Sequence, residues 1–169
     1  MSYAVEETVQ GILNLEDINQ PEFADSIRQA AEGVINESIV LAHVIKGANK
    51  SDVVFKYRDL ENREIDAVII NREAKSACLI EVKSKANIDR ARVFKNEAKH
   101  LFDKEIPKNI GIDDSFIVLR VLAFGGKTER VDSHGNSLML VNIEDLLMHY
   151  RDFWRFLDEL YSSGKHIAI

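Results

Sequence analysis

Cysteine is nearly missing from this 169-residue chain. Cys78 is the only one, which excludes an internal disulfide framework and a four-cysteine zinc or iron–sulfur site within one chain. No stretch reaches the ~18 consecutive apolar residues that a membrane-spanning helix needs. The first ten residues hold Glu6 and Glu7 and no base, so they do not read as a secretory signal. These absences point to a cytoplasmic chain with no membrane partner. There is no internal repeat, low-complexity tract or linker, so the whole of 1–169 reads as one domain. Apolar residues make up 46% and charged residues 30%, globular values that argue against wholesale disorder.

Positive charge is scarce only at the start. Residues 1–33 carry seven acids against one base, Arg28. The remaining 136 residues hold 21 of each sign, although the whole chain has a formal charge of −6. The net acidity therefore belongs to one segment and does not exclude nucleic acid. Lys83 to Lys108 is locally basic, with eight bases and four acids.

Residues 1–19 show weak helical periodicity. Asn19-Gln20-Pro21-Glu22 reads as a helix start. From there Phe23, Ile27, Ala30, Val34, Leu41 and Ile45 recur at three- and four-residue steps, the apolar stripe of a long helix closed by Gly47 and Asn49. Three strands follow at 52–58, 64–70 and 77–83, joined by short polar connections that suit antiparallel hairpins. A helix is expected over about 87–104, with Ile88, Ala91, Phe94, Ala98, Leu101 and Phe102 on its apolar side and Pro107 and Gly111 beyond it. Residues 116–124 form a nearly continuous apolar run broken by Arg120, a central strand. A short strand at 138–141 and a helix capped by Asn142 and running to about Tyr161 extend the core. The order α-β-β-β-α-β-β-α implies an α/β fold, a mixed sheet with helices on both faces. Its core covers about 22–124.

Three carboxylates occupy positions that local rules disfavour. Glu37 takes a slot on the apolar stripe of the first helix. Asp66 interrupts an apolar strand, where alternation would put it on the face of Val68 and Ile70. Glu81 lies within a strand, with Leu79 and Lys83 on its side. Glu81 and Lys83 would then project together, roughly 7 Å apart. Ionised carboxylates in such places need a counter-charge or a metal. Asp66 and Glu81, on neighbouring strands, would repel unless a cation lay between them. Oxygen ligands suit Mg²⁺ or Mn²⁺. A lysine beside that cation could orient a water or stabilise a pentavalent phosphate. The parts suit phosphodiester hydrolysis.

Here the chain resembles the restriction-endonuclease-like superfamily, whose signature is Asp…(Asp/Glu)-x-Lys. Ile65-Asp66, fourteen intervening residues and Glu81-Val82-Lys83 match it, and Glu37 falls where many members carry a glutamate in the first core helix. Asn36-Glu37, Tyr57-Arg58-Asp59, Asn62-Arg63-Glu64-Ile65-Asp66 and Leu79-Ile80-Glu81-Val82-Lys83-Ser84 look like one subgroup. That subgroup is the nuclease-like domain at the C-terminal end of some bacterial and archaeal AAA-type ATPases. The resemblance implies an endonuclease in which Glu37, Asp66, Glu81 and the Val82 carbonyl hold Mg²⁺ or Mn²⁺. Lys83 would position or activate water, with DNA as substrate. It equally implies an alternative, a nuclease-shaped module that no longer cuts and serves an ATPase or another partner. Asn62 stands where the subgroup often has glycine.

Arg92, Lys95 and Lys99, at helical steps, form a candidate track for phosphates, with Lys85 nearer the site; a solvated face is the plainer use of such a row. Gly125-Gly126-Lys127-Thr128 mimics the end of a phosphate-binding loop, but Val121 replaces the glycine that pattern needs, so a loop between strands is expected. The five histidines show no metal-ligand spacing. Phe153, Trp154, Phe156 and Tyr161 read as core or homodimer contact rather than a base-stacking platform.

Overall fold

The computed structural model describes residues 21–163 and 166–168; the helical periodicity read in 1–19 lies outside them. Helix α1 runs Pro21–Gly47. Proline opens it, where its fixed φ suits the first turn and no N–H is needed. The buried stripe differs from the expected one. Val40 and Val44 are buried, whereas Val34 and Ile45 are 63% and 55% exposed. Contact follows a line one residue away, set by glycine and asparagine as much as by apolar residues. Gly33 lies against Ser84, Asn36 donates to Ser84 Oγ at 3.4 Å, and Gly47 meets the Tyr150 carbonyl.

The strands are β1 (Asp52–Arg58), β2 (Glu64–Asn71), β3 (Ser76–Val82), β4 (Ile117–Phe124), β5 (Glu129–Ser133), β6 (Asn136–Asn142) and β7 (His166–Ala168). They make one sheet in the order β1-β2-β3-β4-β6-β5-β7. The first three are antiparallel neighbours, as the short connections require. β3, β4 and β6 run parallel. β5 pairs antiparallel with β6 and parallel with β7.

Strand β5 carries little apolar signal. Its buried positions are Glu129 and Val131, and Glu129 is satisfied by the Arg90 guanidinium. His134 and Gly135, both at positive φ, close the two-residue hairpin into β6, as a primed turn demands.

The helix expected over 87–104 is instead broken into α2 (Val93–Asn96), a 3₁₀ turn (Lys99–Phe102) and α3 (Glu105–Asn109). Aspartates break it. Asp89 accepts from the Ala91 amide at 3.0 Å and Asp103 from the Glu105 amide at 2.9 Å, local turns that compete with a continuous helix. Ile88, Val93, Ala98, Leu101 and Ile106 are buried, at spacings no single helix produces. Pro107 sits in the first turn of α3 rather than beyond a helix. The last helix is likewise divided, into α4 (Ile143–Met148), a 3₁₀ turn (Tyr150–Asp152) and α5 (Phe153–Ser162). Asn142 caps α4 as read, accepting from Glu144 N at 2.8 Å.

The sheet separates two apolar layers, so the architecture is a mixed α/β sheet with helices on both faces. One layer joins Ile65, Val68, Ile70, Leu79, Leu122 and Phe124 to Val93, Leu101 and Ile106. The other joins Ala67, Ile69, Ile80, Val121 and Met139 to Val40 and Val44 of α1 and to Leu146, Phe153 and Leu157. Trp154 and Phe156 pack against this second layer, in keeping with a core role. Tyr161 is 40% exposed, beneath the Arg130 guanidinium. Arg120, inside β4, donates to the Leu101 carbonyl at 2.8 Å. Gly125 to Thr128 form the loop between β4 and β5, where Asn142 Nδ2 donates to the Gly126 carbonyl at 2.8 Å. No helix among the described residues is long and apolar enough to cross a membrane.

Candidate metal centre

The site begins with a flaw in the β1–β2 ladder. Phe55 pairs with Val68, but Tyr57 pairs with Ile65. Lys56 therefore stands against two residues, Asp66 and Ala67, a β-bulge. Alternation is broken there, since Ile65 and Val68, three apart, share one core layer while Ala67 belongs to the other. This corrects the expectation that Asp66 shares the face of Val68 and Ile70. The bulge turns its carboxylate toward α1 instead.

On that side Lys56 Nζ lies 3.0 Å from Glu37 Oε2, 2.5 Å from Glu64 Oε1 and 3.7 Å from Asp66 Oδ1. One oxygen from each of Glu37, Glu64 and Asp66 falls within 4.8 Å of the others. The hydrogen bond that Lys56 donates to Glu64 is the largest influence on its ammonium and holds its pKa well above the ordinary lysine range. Asp66 is 7% exposed. Burial raises its pKa, opposed by the Val82 amide, which donates to Oδ2 at 2.7 Å.

Glu81 lies outside this group of three. The β2–β3 ladder ends at Ala67↔Ile80, one step short of Asp66 and Glu81. Ile80 and Val82 both point into the α1-side layer, while the Glu81 carboxylate, at the end of the ladder, stays within electrostatic reach of Asp66 and Glu37. Its Oε1 accepts from Lys83 Nζ at 2.7 Å, as the shared strand face implied. Its Oε2 is buried with no hydrogen-bond partner. Burial pushes the Glu81 pKa up to about 7, against the pull of Lys83 and with help from the Asp66 and Glu37 charges. Burial lowers the Lys83 pKa, but Glu81, then Asp66 and Glu97, outweigh it and leave the ammonium above its usual value.

Sequence reasoning passed over Lys56 and Glu64. The signal was present: Glu64 and Asp66 are two apart in one strand, which puts them on one face. The basic residues fare differently. Lys85 is engaged by Glu97 Oε1 at 2.7 Å. Arg92, Lys95 and Lys99 are exposed, but the break after Asn96 places them on separate pieces, so the even row along one helix does not exist. Arg92 Nε lies 3.8 Å from Asp89.

The turn from β1 to β2 is locked from below. Asp59 accepts from Arg63 Nε at 2.6 Å, from the Arg63 amide at 3.0 Å and from Tyr57 Oη at 3.0 Å. Arg63 reaches Asp103 at 3.2 Å, and Asn109 donates to Tyr57 Oη at 3.0 Å. The turn needs a left-handed residue, and Asn62 supplies it at φ 58°.

The donor set fits a hard divalent cation. All donors are carboxylate oxygens. An octahedral Mg²⁺ with bonds of about 2.1 Å separates its ligand oxygens by about 3–4 Å, within reach of this group.

Residues 32–121 match the family model described as Domain of unknown function (DUF4143). That span runs from the middle of α1 to the middle of β4 and contains all the carboxylates above. No curated protein matches the chain.

Proposed function

The chain belongs to the DUF4143 family, and from its carboxylate site we propose that it is a divalent-cation-dependent nuclease of the restriction-endonuclease-like type, cutting phosphodiesters of DNA. The observation that carries the reading is Glu81: a carboxylate inside a core strand, one oxygen buried without a partner and the other on Lys83. A structural ion pair would satisfy both oxygens; perturbed, half-satisfied carboxyls mark sites built for chemistry.

Asp66, Glu37 and Glu64 would hold Mg²⁺ or Mn²⁺, with Glu81 and the Val82 carbonyl beside them. When bound, the cation supplies Lewis-acid polarisation of a phosphoryl oxygen and a more acidic water. Glu81, beside the attacking water, would take its proton. The water oxygen bonds to phosphorus as the bond to the leaving strand breaks. The Lys83 ammonium orients that water and offsets charge developing on the phosphoryl oxygens. The resemblance to ATPase-linked domains makes an AAA-type ATPase the natural partner or fused neighbour.

A second reading rests on Lys56. One ammonium already pairs with Glu37, Glu64 and Asp66, the arrangement expected of a nuclease-shaped interaction module that has given up metal. Single-turnover cleavage of plasmid and short duplex DNA with Mn²⁺ separates the two, with Asp66→Ala as the blank. The nuclease reading expects cleavage in the wild type, none in the blank, and a fall of about a hundredfold or more in Lys83→Ala. Cleavage no faster than the blank on duplex, single-stranded and branched DNA and on RNA would leave the interaction module standing.

A further inference from the structure

We infer that Lys56 is a resident counter-cation, and that a divalent ion enters by displacing it rather than by filling a vacant cage. The inference rests on the metal reading above. It starts from position. β1 alternates Phe55 and Tyr57 against one apolar layer and Val54 against the other, so Lys56 shares the side of Val54 and faces α1. Its Nζ lies within 3.7 Å of all three carboxylates, and their oxygens lie within 4.8 Å of one another. An ammonium with those contacts fills the centre a metal would need. Two cations cannot share that volume, because at about 3 Å their repulsion would offset the attraction that draws either one in.

The exchange has a built route. Lys56 is 39% exposed at its side chain, so its four-carbon stem can swing the ammonium into solvent without moving β1. Glu64 grips it most closely, at 2.5 Å, and is itself approached by Arg58 at 3.8 Å. The displaced ammonium then stands at the rim of the site, free for a phosphate of a bound strand. Cation and nucleic-acid backbone therefore favour each other's binding, and by linkage the effect is reciprocal.

Mn²⁺ titration of the whole chain by calorimetry tests this, with Lys56→Met, the charge-keeping Lys56→Arg and Lys50→Met as an exposed control. Lys56→Met is expected to bind Mn²⁺ at least tenfold more tightly than the wild type. Lys56→Arg is expected to bind no more tightly, and Lys50→Met to match the wild type. Metal-free Lys56→Met should also melt below the wild type, and Mn²⁺ should close the gap. Equal or weaker Mn²⁺ binding by Lys56→Met overturns the exchange while leaving the metal reading intact. Absence of Mn²⁺ binding at millimolar concentration in both wild type and Lys56→Met brings down the metal reading and the exchange together. Should Lys56→Met not fold, tighter binding by Lys56→Arg than by the wild type overturns the exchange.

Discussion

Glu81 carries its charge in a dry setting, and this has a measurable cost. An ordinary glutamate titrates near 4.5, whereas Glu81 in the folded chain titrates at about 7. Between those values the folded chain keeps a proton that the unfolded chain has released. The stability contributed is full below pH 4.5 and is lost as pH rises through 7. Glu81→Gln removes the titration. Metal-free Glu81→Gln should match the wild type at pH 4 and exceed it by roughly 2 kcal/mol at pH 8, after allowing for the lost pairing with Lys83. Urea unfolding at both pH values measures this; equal pH slopes in the two proteins would refute it. The individual residues were legible because polarity stood in apolar patterns: Glu37, Asp66 and Glu81 each broke a periodicity. Lys56 and Glu64 broke none, since charged residues near the ends of strands look like ordinary surface. The bulge at Asp66 was illegible for another reason, because register is a property of two strands and neither shows it alone.

Elements were legible where a period ran undisturbed. β1, β2, β3 and β4 fall within a residue of the reading, because their apolar runs are bounded by polar turns. The segment after β3 misled because its apolar spacing mimics a helix while Asp89 and Asp103 turn the backbone locally. The α1 stripe misled because glycine carries no hydropathy, yet Gly47 is what lets the end of the helix approach the fold. Gly47 shows this directly. A Cβ there would lie 1.7 Å from the Tyr150 carbonyl oxygen, a contact that must be relieved by moving backbone. Gly135 has nothing within 4 Å of such a Cβ, but its φ is +78°. Gly47→Ala should therefore destabilise by about 2–3 kcal/mol, the range of overpacking against a fixed neighbour. Gly135→Ala should cost only about 1 kcal/mol, the penalty for a left-handed alanine. Thermal melts of the two variants give the ranking, and the reverse order would contradict the packing of α1 on the 3₁₀ turn.

At the scale of the molecule, charge is divided. The first 33 residues hold the acidic excess, and the basic stretch from Lys83 to Lys108 crosses from β3 to the helical pieces that follow it. If that stretch follows a nucleic-acid backbone, Arg92→Glu with Lys95→Glu should weaken duplex binding equally for unrelated sequences. It should also flatten the dependence of log K on log salt by about two. Fluorescence anisotropy at several salt concentrations reads both, and an unchanged slope would remove this face from consideration. The fold class was legible because the order of elements was, even where their boundaries and two strands, β5 and β7, were not.

The parallel pairing of β3 with β4 bears on how the chain is made. Lys56, Glu64, Asp66 and Glu81 lie on the first three strands, a meander of short-range hairpins that can close early, and Lys83 comes directly after β3. When residue 82 has left the ribosome, however, β3 has a neighbour on one side only, and β4 does not begin until residue 117. During that interval an edge carrying Ala77, Cys78, Leu79 and Ile80, all buried in the finished sheet, stands open to other nascent chains. Truncated chains ending near residue 110 should therefore associate strongly in cell-free translation, and chains reaching residue 124 should do so far less.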